Sequence, residues 1–346
     1  SLPQVKQLAS CGISTLYENL GRDQKSRDRF MTEWIKRQNP IEGIYYDITS
    51  ISSYSTKIDF IEWGYNRDQE SLPQINTGIV CDMKSGLPVY YRTHPGSIVD
   101  VITLRNCIKY LQAYSLRDII MILDRGFCST ANILNMSLKE NQIKFIQPLS
   151  FSLKKVKELI VKNKKELSKT STAFIYNQEI LHHVTDKITF ENTLCMVHVF
   201  YNEKAELDQR HKFLAELLEI EKSIAPCKSK TEFDSFLQNH VPKKYQQYFK
   251  WTTHLKRIEK DMLKIDEYLA NLGFFLMATN EKTDKITMLE YYRNRDTAEK
   301  IFDVLKNEMD GNRLRVHSGY NADGKLFVKF ISLILYMHIS QKMKKA

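Results

Sequence analysis

The sequence lacks the marks of a secreted or membrane-spanning chain. Its six cysteines, Cys11, Cys81, Cys107, Cys128, Cys195 and Cys227, form no CxxC pair, so neither a disulfide framework nor a zinc site is suggested, and reduced core thiols are expected. The longest apolar run, Phe330–Ile339 (FISLILYMHI), is too short to span a bilayer and reads as a buried helix. No signal-peptide pattern opens the chain, which begins at Ser1 rather than Met, so a native stretch ahead of it is expected. Internal repeats and low-complexity segments are absent, and His182-His183 has no acid or Cys at ligand spacing. These absences make a cytoplasmic protein the expectation.

What is present argues for a folded protein with a polyanionic partner. At 346 residues, 42% hydrophobic and 11% aromatic, the chain has room for one large domain with an insertion, or for two domains. Its net charge of +10 favours nucleic acid, because Lys and Arg that neutralise phosphates release counterions.

Residues 1–40 read as a helical preamble, Gln4–Leu20 and Asp28–Arg37 around the polar GRDQKSRD. Gly43–Ser50 (GIYYDITS) then has strand composition, interrupted by Asp47. A carboxylate inside an apolar strand is costly unless compensated, by a hydrogen-bond donor or by a metal ion. Ser71–Asp82 and Leu87–Arg92 follow as strands joined through Lys84-Ser85-Gly86, and Val99–Tyr114 has helical spacing. Ile119–Leu123 (IIMIL) reads as a buried parallel strand ending in Asp124, a frequent active-site position in α/β folds. Ser129 can cap a helix to about Glu140, and Gln142–Leu149 reads as a fifth strand. The order βββαβαβ, read as three hairpin-linked strands followed by alternating helix and strand, indicates a mixed α/β sheet covered by helices.

Composition shifts after Phe151. Leu153–Lys169 is dense in lysine, Glu203–Ser223 and Thr231–Phe249 look helical, and Lys187–Tyr201 reads as a strand pair. The expected organisation is a helical N-terminal segment at 1–40, a catalytic core at 41–150 and 271–346, and an insertion at 151–270. An apolar strand at Gly273–Thr279 returns to the core, and Leu326–His338 reads as an apolar helix packed on it.

The stretch Tyr292–Lys306 (YRNRDTAEKIFDVLK) organises this reading. On a straight helix, Tyr292, Arg295, Glu299 and Lys306 fall within about 60° of one another, beside an apolar arc of roughly 100° made by Ala298, Ile301, Phe302, Leu305 and Met309. Taken alone, Arg295 and Glu299 are a surface i,i+4 pair worth about 0.2–0.5 kcal/mol. A sheet whose first and fourth strands are neighbours would bring Asp47, Asp124 and Glu299 together. Three hard oxygen ligands without Cys or His suit Mg²⁺ or Mn²⁺, and two ions roughly 3.5–4 Å apart would serve phosphodiester chemistry. Arg295 and Lys306 would then hold backbone phosphates, and Tyr292 would bond a phosphate or stack on a base.

The spacing of Tyr292, Arg295, Glu299 and Lys306 resembles the YREK signature of DDE transposases of bacterial insertion sequences. YYDITS and LDRGF resemble the segments carrying that family's first and second Asp, and GYNRDQESLPQI, HPGSIVD and FFLMATN are similar to family segments too. The resemblance spans about Ile41–Ile339. It implies a ribonuclease-H-like, five-stranded mixed sheet with a large insertion before the Glu-bearing helix, mostly β in the best-known relatives but partly helical by the reading here. It further implies Asp47, Asp124 and Glu299 as catalytic metal ligands and Tyr292, Arg295 and Lys306 as DNA contacts. Glu299 is expected to face metal and Arg295 DNA, with any contact between them secondary.

The implied activity is cleavage at terminal inverted repeats of double-stranded DNA and joining of 3′ ends to target DNA. A homodimer on the DNA and a nucleoid-associated cytoplasmic location go with it. A non-catalytic DNA-binding protein of transposase descent and a nuclease that does not join strands are the competing readings.

Overall fold

A computed structural model describes residues 12–345 except 139, 142 and 256. Cys11 and the first part of the expected Gln4–Leu20 helix lie outside the described residues. The chain divides into two compact units, Ser1–Pro148 with Lys187–Met196 and Ala278–Ala346, and Leu149–Asp186 with Val197–Met277.

The first unit is built on five strands, β1 (Gly43–Ser52), β2 (Gln74–Asp82), β3 (Pro88–Pro95), β4 (Ile119–Leu123) and β5 (Ile143–Pro148), in the order β3-β2-β1-β4-β5. β1, β2 and β3 pair antiparallel, whereas β1, β4 and β5 run parallel. The mixed α/β architecture therefore matches the sequence pattern. Apolar strand sequences dictate this placement: β2 is buried along its whole length, and β1 everywhere except Asp47. Helices Asp100–Ala113 and Thr130–Ser137 form the crossovers, the second capped by the Ser129 hydroxyl accepting from Asn132 N at 3.1 Å. Asp284 opens the helix Lys285–Arg293 in the same way, its carboxylate accepting from Ile286 N at 2.9 Å and Thr287 N at 3.1 Å.

Tyr292–Lys306 is not one straight helix. After Arg293 the backbone tightens into i+3 bonds, from Thr297 N to Asn294 O (3.1 Å) and Ala298 N to Arg295 O (2.8 Å). A regular turn follows at Asp296–Asp303, and Val304–Glu308 then widens into a π-helix closed by Met309 N donating to Val304 O at 3.1 Å. The tightening and the widening each change the phase of the side chains, in opposite senses, so the segment is not the straight helix on which the polar stripe was drawn.

Four further strands, β6 (Ala173–Tyr176), β7 (Glu179–Phe190), β8 (Thr193–Tyr201) and β11 (Phe274–Thr279), follow in the order β11-β8-β7-β6, of which 187–190, 193–196 and 278–279 fall in the first unit, and the second unit has a separate hairpin of β9 (Phe249–Thr252) and β10 (Arg257–Lys260). Helices Glu203–Ile224, Lys230–His240 and Met262–Ala270 close over a core of Phe213, Leu217, Phe233, Tyr245, Tyr248, Phe249 and Ile265.

In the first unit, the helices Ile13–Arg22 and Gly319–Lys345 cross at two glycines. A Cβ on Gly21 would lie 1.8 Å from the Tyr320 carbonyl oxygen, and one on Gly324 would lie 1.8 Å from that of Tyr17. Backbone meets backbone there, so neither site can yield by moving a side chain. Gly21→Ala or Gly324→Ala should each cost about 2–3 kcal/mol by urea unfolding, through overpacking. Gly12→Ala, where a Cβ meets nothing within 4 Å, is the control and should leave the midpoint unchanged.

Candidate functional site

The parallel pairing of β1 with β4 creates the site. Its register runs from Gly43 beside Ile120 to Tyr46 beside Leu123, so Asp47 and Asp124 are each the next residue beyond the last matched pair. Neither position is accidental. Asp47 is the one residue of β1 that is not fully buried, and Asp124 stands where the apolar run IIMIL ends. Buried Gln147 holds that strand end, its Nε2 donating to the Asp124 carbonyl at 2.9 Å.

Glu299 arrives from the other side. Ala298, Ile301, Phe302 and Leu305 are buried, which fixes the helix face and sets Glu299 at its edge. Asp47, Asp124, Arg295 and Glu299, with Tyr45, Tyr46 and Ala298, line one small cavity. The three carboxylates picked out from sequence therefore share a cavity.

Arg295 stands among them. Its Nη1 donates to Asp124, its Nη2 lies 3.3 Å from Glu299, and its guanidinium carbon is 4.9 Å from the centre of the Tyr292 ring. Arg295 therefore bridges the two carboxylates, with the hydrogen bond going to Asp124 and the longer contact to Glu299. Among the described residues, no three His, Cys, Asp or Glu side chains are grouped as a cation site in this arrangement. Lys306 Nζ is bonded to both carboxylate oxygens of Asp68, at 2.7 and 2.6 Å.

Two contributors were quoted in sequence segments without a role. Arg67 donates from Nη1 to Ser50 Oγ at 3.2 Å and Asn76 Oδ1 at 3.4 Å, and pairs through Nη2 with Asp100. Asp100 opens a helix, and the position of a Cβ on Gly126 would be 3.4 Å from its Oδ2 and 4.0 Å from that of Asp124. Arg67 and Asp100 come from GYNRDQESLPQI and HPGSIVD; their signal was a charged residue inside an otherwise turn-like segment, which carries no direction until the loops close.

Burial pushes the Asp47 carboxyl up to about 6, and the Asp124 charge adds to the rise, while the Ile48 N–H, Arg67 and Arg295 draw it down. Its Oδ1 accepts from Ile48 N at 2.8 Å. The arrangement is a set of carboxylate oxygens among guanidinium groups, with neither sulfur nor imidazole beside them.

The fully apolar surroundings needed for a membrane span are missing: among the described residues no helix is long and apolar enough to cross one. The model of the family described as "Transposase DDE domain" matches residues 38–335. Among curated proteins there is no significant match. A solved structure of a piggyBac transposase synaptic complex with hairpin DNA aligns with a TM-score of 0.43 and 9% identity, covering 91% of this chain. The chain spans 51% of that relative's length.

The raised Asp47 pKa makes a stability prediction. Below the unfolded value near 4 the proton is bound in both states; as pH rises through about 6 the folded state must ionise a desolvated acid, and stability is lost. Without divalent ions, Asp47→Asn should gain about 2 kcal/mol relative to the parent between pH 4 and pH 7. Urea unfolding of both proteins across that range is the measurement, and a constant difference between them would refute the assignment.

Proposed function

Because the chain belongs to the family of transposase DDE domains, we propose that it cuts DNA at the ends of a mobile element and joins the freed 3′ ends to target DNA. The observation that carries this reading is the cavity shared by Asp47, Asp124 and Glu299. Two further features support it: the YREK spacing of Tyr292, Arg295, Glu299 and Lys306, and a β3-β2-β1-β4-β5 core of the ribonuclease-H-like kind. Residues 151–270 are read as an insertion on that core, with a homodimer on DNA and a bacterial, nucleoid-associated setting.

The donor set fits Mg²⁺ or Mn²⁺, since it offers carboxylate oxygens and neither sulfur nor imidazole. Asp47, Asp124 and Glu299 would hold one or two such ions, which when bound supply Lewis-acid activation of the attacking oxygen and stabilisation of the leaving one. Glu299 is 56% exposed on its side chain and free to turn inwards. Arg295 must leave Asp124, and a DNA phosphate is the natural acceptor for its two-pronged guanidinium. Tyr292, half-buried beside Arg295, limits the directions in which that guanidinium can swing. Lys306 would exchange the Asp68 carboxylate for a second phosphate. Hydrolysis and strand joining share one geometry, because both are in-line attacks at phosphorus, by water or by a 3′-hydroxyl.

Asp47→Asn, Asp124→Asn and Glu299→Gln should each lower Mn²⁺-dependent cleavage of end-bearing DNA at least about a thousandfold, the scale of losing a principal electrostatic group. Unfolding by urea at pH 4 should remain cooperative in all three. Full cleavage by any one of them would remove that residue from the site. Pre-cleaved ends incubated with supercoiled plasmid separate the competing readings: joined products require a transposase, nicking alone indicates a nuclease, and binding without either indicates a non-catalytic descendant.

A further inference from the structure

Beyond the carboxylate cavity, the turn after β1 and the segment Arg313–His317 enclose a second pocket, lined by Ser53, Tyr54, Ser55, Arg313, Arg315, Val316 and His317. Its chemistry is that of nucleic-acid contact: an aromatic ring, hydroxyls and cations in one place. Tyr54 is 74% exposed, and the Arg313 guanidinium carbon lies 5.7 Å from the centre of its ring.

The two segments are tied together. Leu314 N donates to Ser52 O and Ser53 N to Pro73 O, both at 3.0 Å, and Leu314 is buried in a cluster with Ile51, Ile58, Ile75, Ala322 and Leu326. The ring and the cations therefore stand on a rigid floor. Arg315 is held at φ +42, a left-handed backbone that a long side chain rarely adopts and that marks a position fixed by its surroundings.

Both arginines already have acidic partners. Glu70 accepts from Arg313, and Asp310 from Arg315 at 2.7 Å. In the second pair both side chains are more than half exposed, so water and salt screen the attraction and a phosphate can take the place of Asp310.

We propose that this pocket is a second DNA-contact site, which takes a phosphodiester strand with one unpaired base stacked on Tyr54 and the flanking phosphates on Arg313 and Arg315. The inference rests on the reading of the chain as a DNA-acting protein, but not on catalysis. An unpaired base is specified because an exposed ring stacks on a base face that a duplex keeps covered. Ser53 lies beyond the end of the strand that carries Asp47, about 20 Å along it at roughly 3.3 Å per residue. That distance is about six phosphates of a duplex strand, so one DNA molecule can reach both places.

The test is fluorescence anisotropy on the full chain, without divalent ions, using a labelled single strand of roughly a dozen nucleotides and a blunt duplex of the same length over a salt series. Tyr54→Ala should weaken single-strand binding about tenfold and duplex binding much less, and Arg315→Ala should reduce the single-strand salt slope by about 0.7. Urea midpoints equal to the parent's establish that the variants are folded. Unchanged single-strand affinity in Tyr54→Ala overturns the stacked base, and an unchanged slope in Arg315→Ala overturns the phosphate contact. Variants that show the expected binding changes, with a parent protein that cuts no DNA, sink the transposition reading and leave this site standing. One that cuts DNA while both variants bind like the parent sinks this site alone.

Discussion

Three carboxylates converging on one cavity repel one another, and the Arg295 guanidinium is what lets them share it. Asp47 shows the strain most directly, with burial and the Asp124 charge both raising its pKa while Arg295 opposes them. The same guanidinium closes Asp124 and lies against Glu299. Arg295 thus stabilises the metal-free arrangement and also occupies the groups that a cation would need. Under the proposed function, a phosphate that binds Arg295 uncovers Asp124, and a cation that binds Asp124 releases Arg295. Each ligand removes a cost the other would otherwise meet, so DNA and divalent ion are thermodynamically coupled, and reciprocally so.

The carboxylate geometry depends on strand register more than on the helix. Asp47 and Asp124 are brought level by the parallel β1–β4 ladder, whose two strands are buried apolar runs with little freedom to slip. This part was legible in the sequence: YYDITS and IIMILD each announce a buried strand with an acid at a definite place. Glu299 was legible for a similar reason, since Ala298, Ile301, Phe302 and Leu305 fix which way the helix faces.

What was not legible depends on tertiary contact. Side-chain periodicity assumes an even helix, and nothing in YRNRDTAEKIFDVLK signals the tightening at Asn294–Arg295 or the π-helix at Val304–Glu308. The partner of Lys306, Asp68, is also remote in sequence and could not be read from the helix pattern. Arg67 and Asp100 escaped for the same reason. The hairpin of the second unit was also drawn too short. β7 begins at Glu179 rather than near Lys187, because EILHHVTD mixes polar and apolar residues without the continuous apolar run that revealed the other strands. Asn177 and Gln178, both at positive φ, supply its opening turn without a glycine to announce it.

The net charge of +10 also takes on a different meaning in the fold. The cations are not bare: Arg295 at the cavity meets Asp124 and Glu299, while Lys306 meets Asp68, Arg67 meets Asp100 and, in the second pocket, Arg313 meets Glu70. The lysine-dense helix Lys154–Leu167 is partly committed as well, with Lys157 paired to Glu267 and Lys162 to Asp186. A polyanion binding at the cavity would exchange carboxylate partners for phosphates instead of neutralising idle charge. Such an exchange retains the charge–charge attraction while releasing acidic side chains, three of which line the cavity itself or stand beside it. Under the proposed function, the acids that compensate the arginines in the DNA-free protein would become the donors for a divalent ion once DNA displaced them.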